Sequence, residues 1–180
     1  EGYQLKYRQI RMDNQKAFYD KYKSLVYNLA LSYSANKEDA EEITQDVFLS
    51  VFKKMSTFRN ESKIETWVYR ITINKSLDYL KFKKRFKRNF INGGVSIDQV
   101  SPSEFSDFSH PGVVLESKET IRQIYRCINK LSEDHKTVII LLKIENRTYS
   151  EVAKIMKISV GAVESLFIRS KKKLDDLLNK

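Results

Sequence analysis

Cysteine is nearly absent from this 180-residue chain. Cys127 stands alone, so no internal disulfide can form, and a reducing cytoplasm is the expected setting. Histidine is as scarce: His110 and His135 are isolated, and no carboxylate cluster has metal-ligand spacing. That argues against an enzyme and leaves no catalytic, metal or cofactor set to name. Long apolar runs are also missing. None approaches the roughly 20 residues of a membrane span, and no secretory signal pattern opens the chain, so a soluble protein is expected. Of two prolines and five glycines, both prolines (Pro102, Pro111) and three of the glycines fall within residues 91–117, which marks that stretch as a linker.

What the chain has in abundance is positive charge, unevenly spread. Its formal net charge is +10. Residues 1–90 hold 19 Lys/Arg against 11 Asp/Glu, residues 91–130 hold 4 against 5, and residues 131–180 hold 10 against 7. Two basic flanks around a non-basic middle suggest two nucleic-acid-facing domains joined by a segment that faces something else. With 41% hydrophobic residues, the chain can build one ordinary domain or two small ones.

Residues 1–12 read as a frayed lead-in. From Lys16 to Ser34, Phe18, Tyr22, Leu25, Val26, Leu29 and Tyr33 recur at threes and fours, which predicts an amphipathic helix. Asn36 can cap the next helix, whose stripe is Ala40, Ile43, Val47, Val51 and Met55, widened by Phe48 and Phe52. Its other side carries Glu41, Glu42, Gln45 and Asp46, either a solvated first turn or a protein-docking face. After a loop at Phe58-Arg59-Asn60-Glu61, Ser62 and Glu65 form a potential capping box for a long helix through Ile64, Trp67, Val68, Ile71, Leu77 and Leu80. Arg70, Asn74, Asp78 and Lys81 lie on its polar side. The helix runs into Lys81-Phe82-Lys83-Lys84-Arg85-Phe86-Lys87-Arg88, six cations in eight residues, a run suited to phosphate contact.

The C-terminal part is the most explicit. Ser132-Glu133-Asp134 starts one helix, Thr148-Tyr149-Ser150-Glu151 is a capping box for a second, and Ser159 caps a third with Val163, Phe167 and Leu174 on one side. About three residues separate the last two, with small Ala153 where their backbones would cross. This is helix-turn-helix spacing. Lys157 stands where such turns often hold Gly, and a left-handed conformation there costs roughly 1 kcal/mol. The third helix offers Val160, Glu164, Ser165 and Ile168 outward and ends in Arg169-Ser170-Lys171-Lys172-Lys173.

Taken together, these motifs resemble an extracytoplasmic-function sigma factor, the small two-domain class of bacterial transcription initiation factor. Asp39-Ala40-Glu41-Glu42-Ile43-Thr44-Gln45-Asp46-Val47-Phe48 looks like the family's polymerase-clamp-binding helix. Phe58-Arg59, with Thr66-Trp67-Val68-Tyr69-Arg70-Ile71 and Asn74, looks like its promoter-melting and minus-ten-reading segment. Leu131 to Asp134, Tyr149 to Ala153 and Ser159 to Val163 look like its minus-thirty-five-binding domain.

The resemblance implies an all-α protein with residues 1–90 as the core-polymerase and minus-ten domain, 91–117 as a flexible acidic linker and 118–180 as the minus-thirty-five domain. It implies polymerase contact by Glu42, Gln45, Asp46 and Leu49. Minus-ten contact would fall to Phe58, Arg59, Asn60, Glu61, Ser62, Trp67, Arg70, Asn74, Lys75, Lys81 and Lys84. Minus-thirty-five contact would fall to Tyr149, Ser159, Val160, Glu164, Ser165, Ile168, Arg169 and Lys172, although Glu164 and Leu166 replace the Arg or Lys of many members. Core RNA polymerase, promoter DNA and an anti-sigma factor are the implied partners of a chain that is monomeric when free, and no cofactor is implied. A helix-turn-helix repressor or activator is the alternative, but it leaves the acidic helix without a role.

Overall fold

The computed structural model describes residues 2–55, 62–92 and 118–179. These form helices α1 (Gly2–Ser34), α2 (Lys37–Lys54), α3 (Ile64–Asn92), α4 (Lys118–Lys130), α5 (Glu133–Ile139), α6 (Tyr149–Met156) and α7 (Val160–Leu178), with no strand among the described residues. A π-helical turn, Ile140–Ile144, extends α5. The protein is all-α.

The first three helices pack around one apolar cluster. Tyr22, Val26 and Ala30 of α1 meet Ala40, Ile43, Val47 and Val51 of α2 and Val68 of α3, all buried. The turn between α1 and α2 is tight: Ala35 adopts φ 54, and the Asn36 side chain accepts from the Asp39 amide at 2.8 Å, as its cap position predicts.

Two starts differ from the sequence reading. Helix α1 begins at Gly2 rather than near Lys16. A helix already nucleated by its amphipathic half propagates cheaply through residues with no apolar period, which a periodicity argument cannot see. The Ser62–Glu65 capping box does not form. The Trp67 amide donates to the Lys63 carbonyl, so Lys63 is the residue at the helix entrance, and Glu65 faces Arg147 instead, 3.5 Å away.

The second cluster belongs to no single module. Leu29, Tyr33 and Ala35 of the first hairpin and Tyr69 and Ile73 of α3 are buried together with Tyr125, Ile128, Val138, Ile139, Ile140, Leu141, Val152, Ala153, Ile155 and Val163. Five successive apolar residues, Val138 to Leu142, cannot share one α-helical face. The segment resolves this by being enclosed on most sides and widening into the π turn, where the amides of Glu145 and Arg147 donate to Ile140 and Leu141, both at 2.9 Å. Ser132 sits at the α5 cap position without a side-chain cap bond. Polar groups thread this shared core: the Tyr33 hydroxyl donates to Thr137 Oγ1 at 2.9 Å, and Ser32 Oγ donates to Glu145 at 3.2 Å.

Candidate polymerase and nucleic-acid interfaces

Helix α2 turns its apolar stripe inward and leaves Glu41, Glu42, Gln45 and Asp46 exposed, with Leu49 69% exposed beside them. Its first turn is clamped from α3. Lys83 Nζ lies 2.6 Å from Asp39, and the Tyr79 hydroxyl is within 2.8 Å of Asp39 and 3.0 Å of Glu42. Burial, then the two carboxylates, pushes the Tyr79 phenol up, so it stays a proton donor. Asp46 has Lys75 at 3.8 Å, an exposed and weak pair. The acidic face is thus held rigidly, with most of its charge outward.

The polar side of α3 meets the C-terminal helices. Arg70 donates through Nε to the Ile155 carbonyl at 3.1 Å and through Nη2 to the Lys154 carbonyl at 2.6 Å, satisfying the last turn of α6. Arg70 and Asn74 line one cleft of about 330 Å³ with Asp134, Thr137 and Lys157. The Arg147 guanidinium lies 5.2 Å from the Tyr69 ring centre. Farther along, Lys81 pairs with Glu133 at 2.8 Å, while Lys84 is exposed. Ser62 and Trp67 are half-buried, Trp67 against the first apolar cluster. Phe58, Arg59, Asn60 and Glu61 lie outside the described residues, as does all but the first two residues of the 91–117 linker, which continue α3.

The helix-turn-helix forms as its caps predict. Thr148 and Glu151 make the reciprocal capping box, and Ser159 Oγ accepts from the Ala162 amide at 3.2 Å. Lys157 takes φ 58, ψ 41, the left-handed conformation, and the Ile158 amide reaches back to the Ala153 carbonyl at 3.1 Å. On α7, Val160, Glu164, Ser165, Ile168, Arg169 and Lys172 are exposed, Ile168 at 69%. Arg169 folds back on the Ser165 carbonyl at 3.2 Å. Tyr149 is exposed at the α6 start and edge-on to Phe167, ring centres 6.2 Å apart.

Sequence comparison matches residues 18–86 to Sigma-70 region 2 and residues 121–174 to Sigma-70, region 4. These two segments coincide with the acidic-faced hairpin plus α3 and with the helix-turn-helix, in the family's order. The chain belongs to the sigma-70 family, in its extracytoplasmic-function branch. It is therefore a transcription initiation factor that directs RNA polymerase to promoters, and not an enzyme. The sigma factor is similar to the ECF RNA polymerase sigma-E factor of Haemophilus influenzae (28% identical, over 93% of this chain and 90% of that protein). It is also similar to that of Escherichia coli K12 (27%, 93% and 89%). Among solved structures, its fold matches the sigma factor RpoE in complex with the anti-sigma factor NepR from Bartonella quintana. There the TM-score is 0.62 at 23% identity, over 91% of this chain and 98% of that one. CnrH in complex with the cytosolic domain of CnrY matches at TM-score 0.62 and 18% identity, over 93% and 89%.

Several groups of the sigma factor that its structure brings together carry no signal in the sequence. The carbonyls of Lys154 and Ile155 become visible as partners only in the fold, as does the chain from Lys173 through His135 to Ser170 on the inner side of α7. No helix among the described residues is long and apolar enough to cross a membrane.

Proposed function

We propose that this sigma factor docks on core RNA polymerase through the outer face of α2, with Glu42, Gln45, Asp46 and Leu49 in contact, and lays α7 in the major groove of the minus-thirty-five element. The observation that supports it most directly is the presence, in one chain, of an exposed acidic face with an exposed leucine beside it and an exposed helix-turn-helix reader. A DNA-binding module acting alone has no use for the first. On α7, Ile168 and Val160 suit apolar contact with thymine methyl groups, and Ser165 suits a base-edge hydrogen bond. Tyr149, Ser159, Arg169 and Lys172 suit the flanking phosphates.

Residues 1–90 then act as the polymerase and minus-ten domain, 91–117 as the linker and 118–180 as the minus-thirty-five domain. The loop Phe58 to Ser62, with Trp67, Arg70, Asn74 and Lys75, holds an unpaired minus-ten strand, and Lys81 and Lys84 take its phosphates. Arg70 is occupied by α6 in the packed form, so engagement of that strand requires the second domain to swing off. The packed form is the resting state, acting in the cytoplasm as a monomer. An anti-sigma factor that binds it holds the domains together or covers their faces. The resemblance of the fold to the sigma factor RpoE, solved in complex with the anti-sigma factor NepR, supports such a partner.

Run-off transcription with core polymerase and a genomic fragment library tests the reading. Discrete promoter-dependent transcripts are expected. Charge reversal at Glu42 and Asp46 together is expected to lower core capture with unchanged circular dichroism. Absence of any sigma-dependent transcript overturns the proposal, and wild-type capture by the reversed variant removes α2 from the interface.

A further inference from the structure

One hydroxyl bridges α3 to the proposed docking face of α2. Asp39 and Glu42 stand three residues apart on α2, so their carboxylates fall on one side of that helix. The Tyr79 hydroxyl of α3 reaches both, 2.8 Å from Asp39 Oδ1 and 3.0 Å from Glu42 Oε2. Its ring is packed against the apolar cluster of the first three helices, so the place of that oxygen is set by packing and not by the acids.

The two carboxylates are not equivalent. Asp39 is 8% exposed and takes Lys83 on its second oxygen at 2.6 Å, so its charge is matched inside the fold. Glu42 is exposed, and Tyr79 is the one group bonded to it among the described residues. A phenol has a single proton for two acceptors. Because Lys83 already serves Asp39, that proton can turn to Glu42 without leaving a buried carboxylate bare. The phenol also keeps it, since burial and then the adjoining carboxylates push its pKa up. A carboxylate has about four acceptor sites, and Tyr79 occupies one on Oε2, so the rest stay open to a cation on a partner. What the hydroxyl removes is freedom. An exposed glutamate left to itself samples many rotamers, and immobilising such a side chain is among the costs of forming an interface. Tyr79 imposes that order while the chain is still free.

We propose that Tyr79 is a positioning residue for polymerase docking: its hydroxyl holds Glu42 in the orientation that a basic group of core RNA polymerase engages, while Asp39 and Lys83 anchor the hydroxyl. Helix α3 thereby contributes to core affinity from behind α2. The inference rests on the α2 interface proposed above and adds to it a residue that acts through Glu42.

The test measures capture of core RNA polymerase by the full chain in four forms: wild type, Tyr79→Phe, Glu42→Ala and the two changes together. Tyr79→Phe keeps the packed ring and deletes one oxygen. It is expected to weaken capture by about 3- to 10-fold, the range for one side chain that must be ordered on binding. In the Glu42→Ala background the same change is expected to alter capture by less than about twofold, because the group it positions is gone. Its effect on the urea midpoint should persist in that background, since the bond to Asp39 remains. A tyrosine with a structural role alone cannot produce that split. Wild-type capture by Tyr79→Phe, with Glu42→Ala impaired, overturns the proposal, as does an equal loss of capture in the two backgrounds. Failure of the α2 reading looks different: Glu42→Ala then captures polymerase as well as the wild type does, which removes Glu42 from the interface and the proposal with it.

Discussion

Arg70 reaches across the molecule to Lys154, its Nη2 donating to that residue's carbonyl at 2.6 Å while Nε takes the next carbonyl, Ile155. One planar guanidinium thus closes the end of a helix in the other module. Hydrogen bonds from a charged group contribute about 1.5–3 kcal/mol, so Arg70→Ala is expected to lower stability to urea by about 1–3 kcal/mol and to raise the radius of gyration in X-ray scattering. Arg70→Lys should restore little, because an ammonium lacks the fork that spans two carbonyls. Unchanged scattering and urea midpoint in Arg70→Ala would show that the contact does not hold the modules.

His135 is set in a fixed tautomer. Lys173 has only protons to give, so Nε2 accepts from it at 2.9 Å, Nδ1–H donates to Ser170 Oγ at 2.6 Å, and the Ser170 hydroxyl donates to the Leu166 carbonyl at 2.7 Å. Burial, then Lys173 and Arg169, holds the imidazole below its ordinary 6.5. The folded state therefore binds the proton less well than the unfolded one. Its contribution is full above pH 6.5 and declines as pH falls through the window just beneath. The stability of the wild type minus that of His135→Gln should decrease between about pH 7 and pH 5. A difference that stays flat with pH removes the histidine from the account.

Lys136 is 4% exposed, with Asn129 Oδ1 at 2.9 Å and no carboxylate among the described residues bound to it. Burial, then the neighbouring Lys84, pushes its ammonium down to about 8, against the partial support of Glu133. Between about 8 and 10.5 the unfolded chain holds more protons, so stability rises with pH through that interval. Lys136→Met should gain about 1–3 kcal/mol at pH 7 and lose this slope. Urea titrations at pH 7 and pH 9.5 decide it.

Lys157 occupies a left-handed position that Gly takes without penalty. Lys157→Gly is expected to gain at most about 0.6 kcal/mol in urea unfolding, the roughly 1 kcal/mol relief of the left-handed backbone less about 0.4–1 kcal/mol for the greater freedom of glycine in the unfolded chain. A loss of stability would mean that the lysine side chain makes a contact worth more than the strain.

Asn60→Ala and Asn74→Ala should slow open-complex formation and change preference at one or two minus-ten bases, with core capture intact. The measurement is 2-aminopurine fluorescence at each minus-ten position in the presence of core polymerase. Wild-type rate and preference in both variants would remove Asn60 and Asn74 from minus-ten recognition.

Local chemistry was the legible part of the chain. Asn36, Thr148 and Ser159 cap because a short oxygen-bearing side chain before an apolar stripe has few other uses, and the cost at Lys157 is visible once the turn length is known. The all-α class and the helix-turn-helix follow from these alone. What could not be read is partnership at a distance. Leu29, Tyr33, Tyr69 and Ile73 fall on helical stripes that look the same whether they face their own module or the other. Arg70 shows the same limit, since a cation spaced for phosphate is spaced equally well for helix carbonyls. Of the residues proposed for contact, Leu49 and Ile168 are 69% exposed, whereas Glu65, read as a cap, forms a cross-module ion pair with Arg147.

The seam between the modules has a quantitative consequence. Tyrosine hydroxyls, a threonine and a glutamate thread through its aliphatic packing, and such mixed surfaces separate at lower cost than a purely aliphatic core. A chain that is open only about 1% of the time loses a factor of about 100 in apparent affinity for any partner that needs it open. The packing of Leu29, Tyr33 and Tyr69 therefore sets a threshold: how much free polymerase the cell must hold before this regulon responds, and how steeply output climbs beyond that level. Substitutions in the seam would shift the dose–response curve of every target gene together and leave the choice of genes untouched.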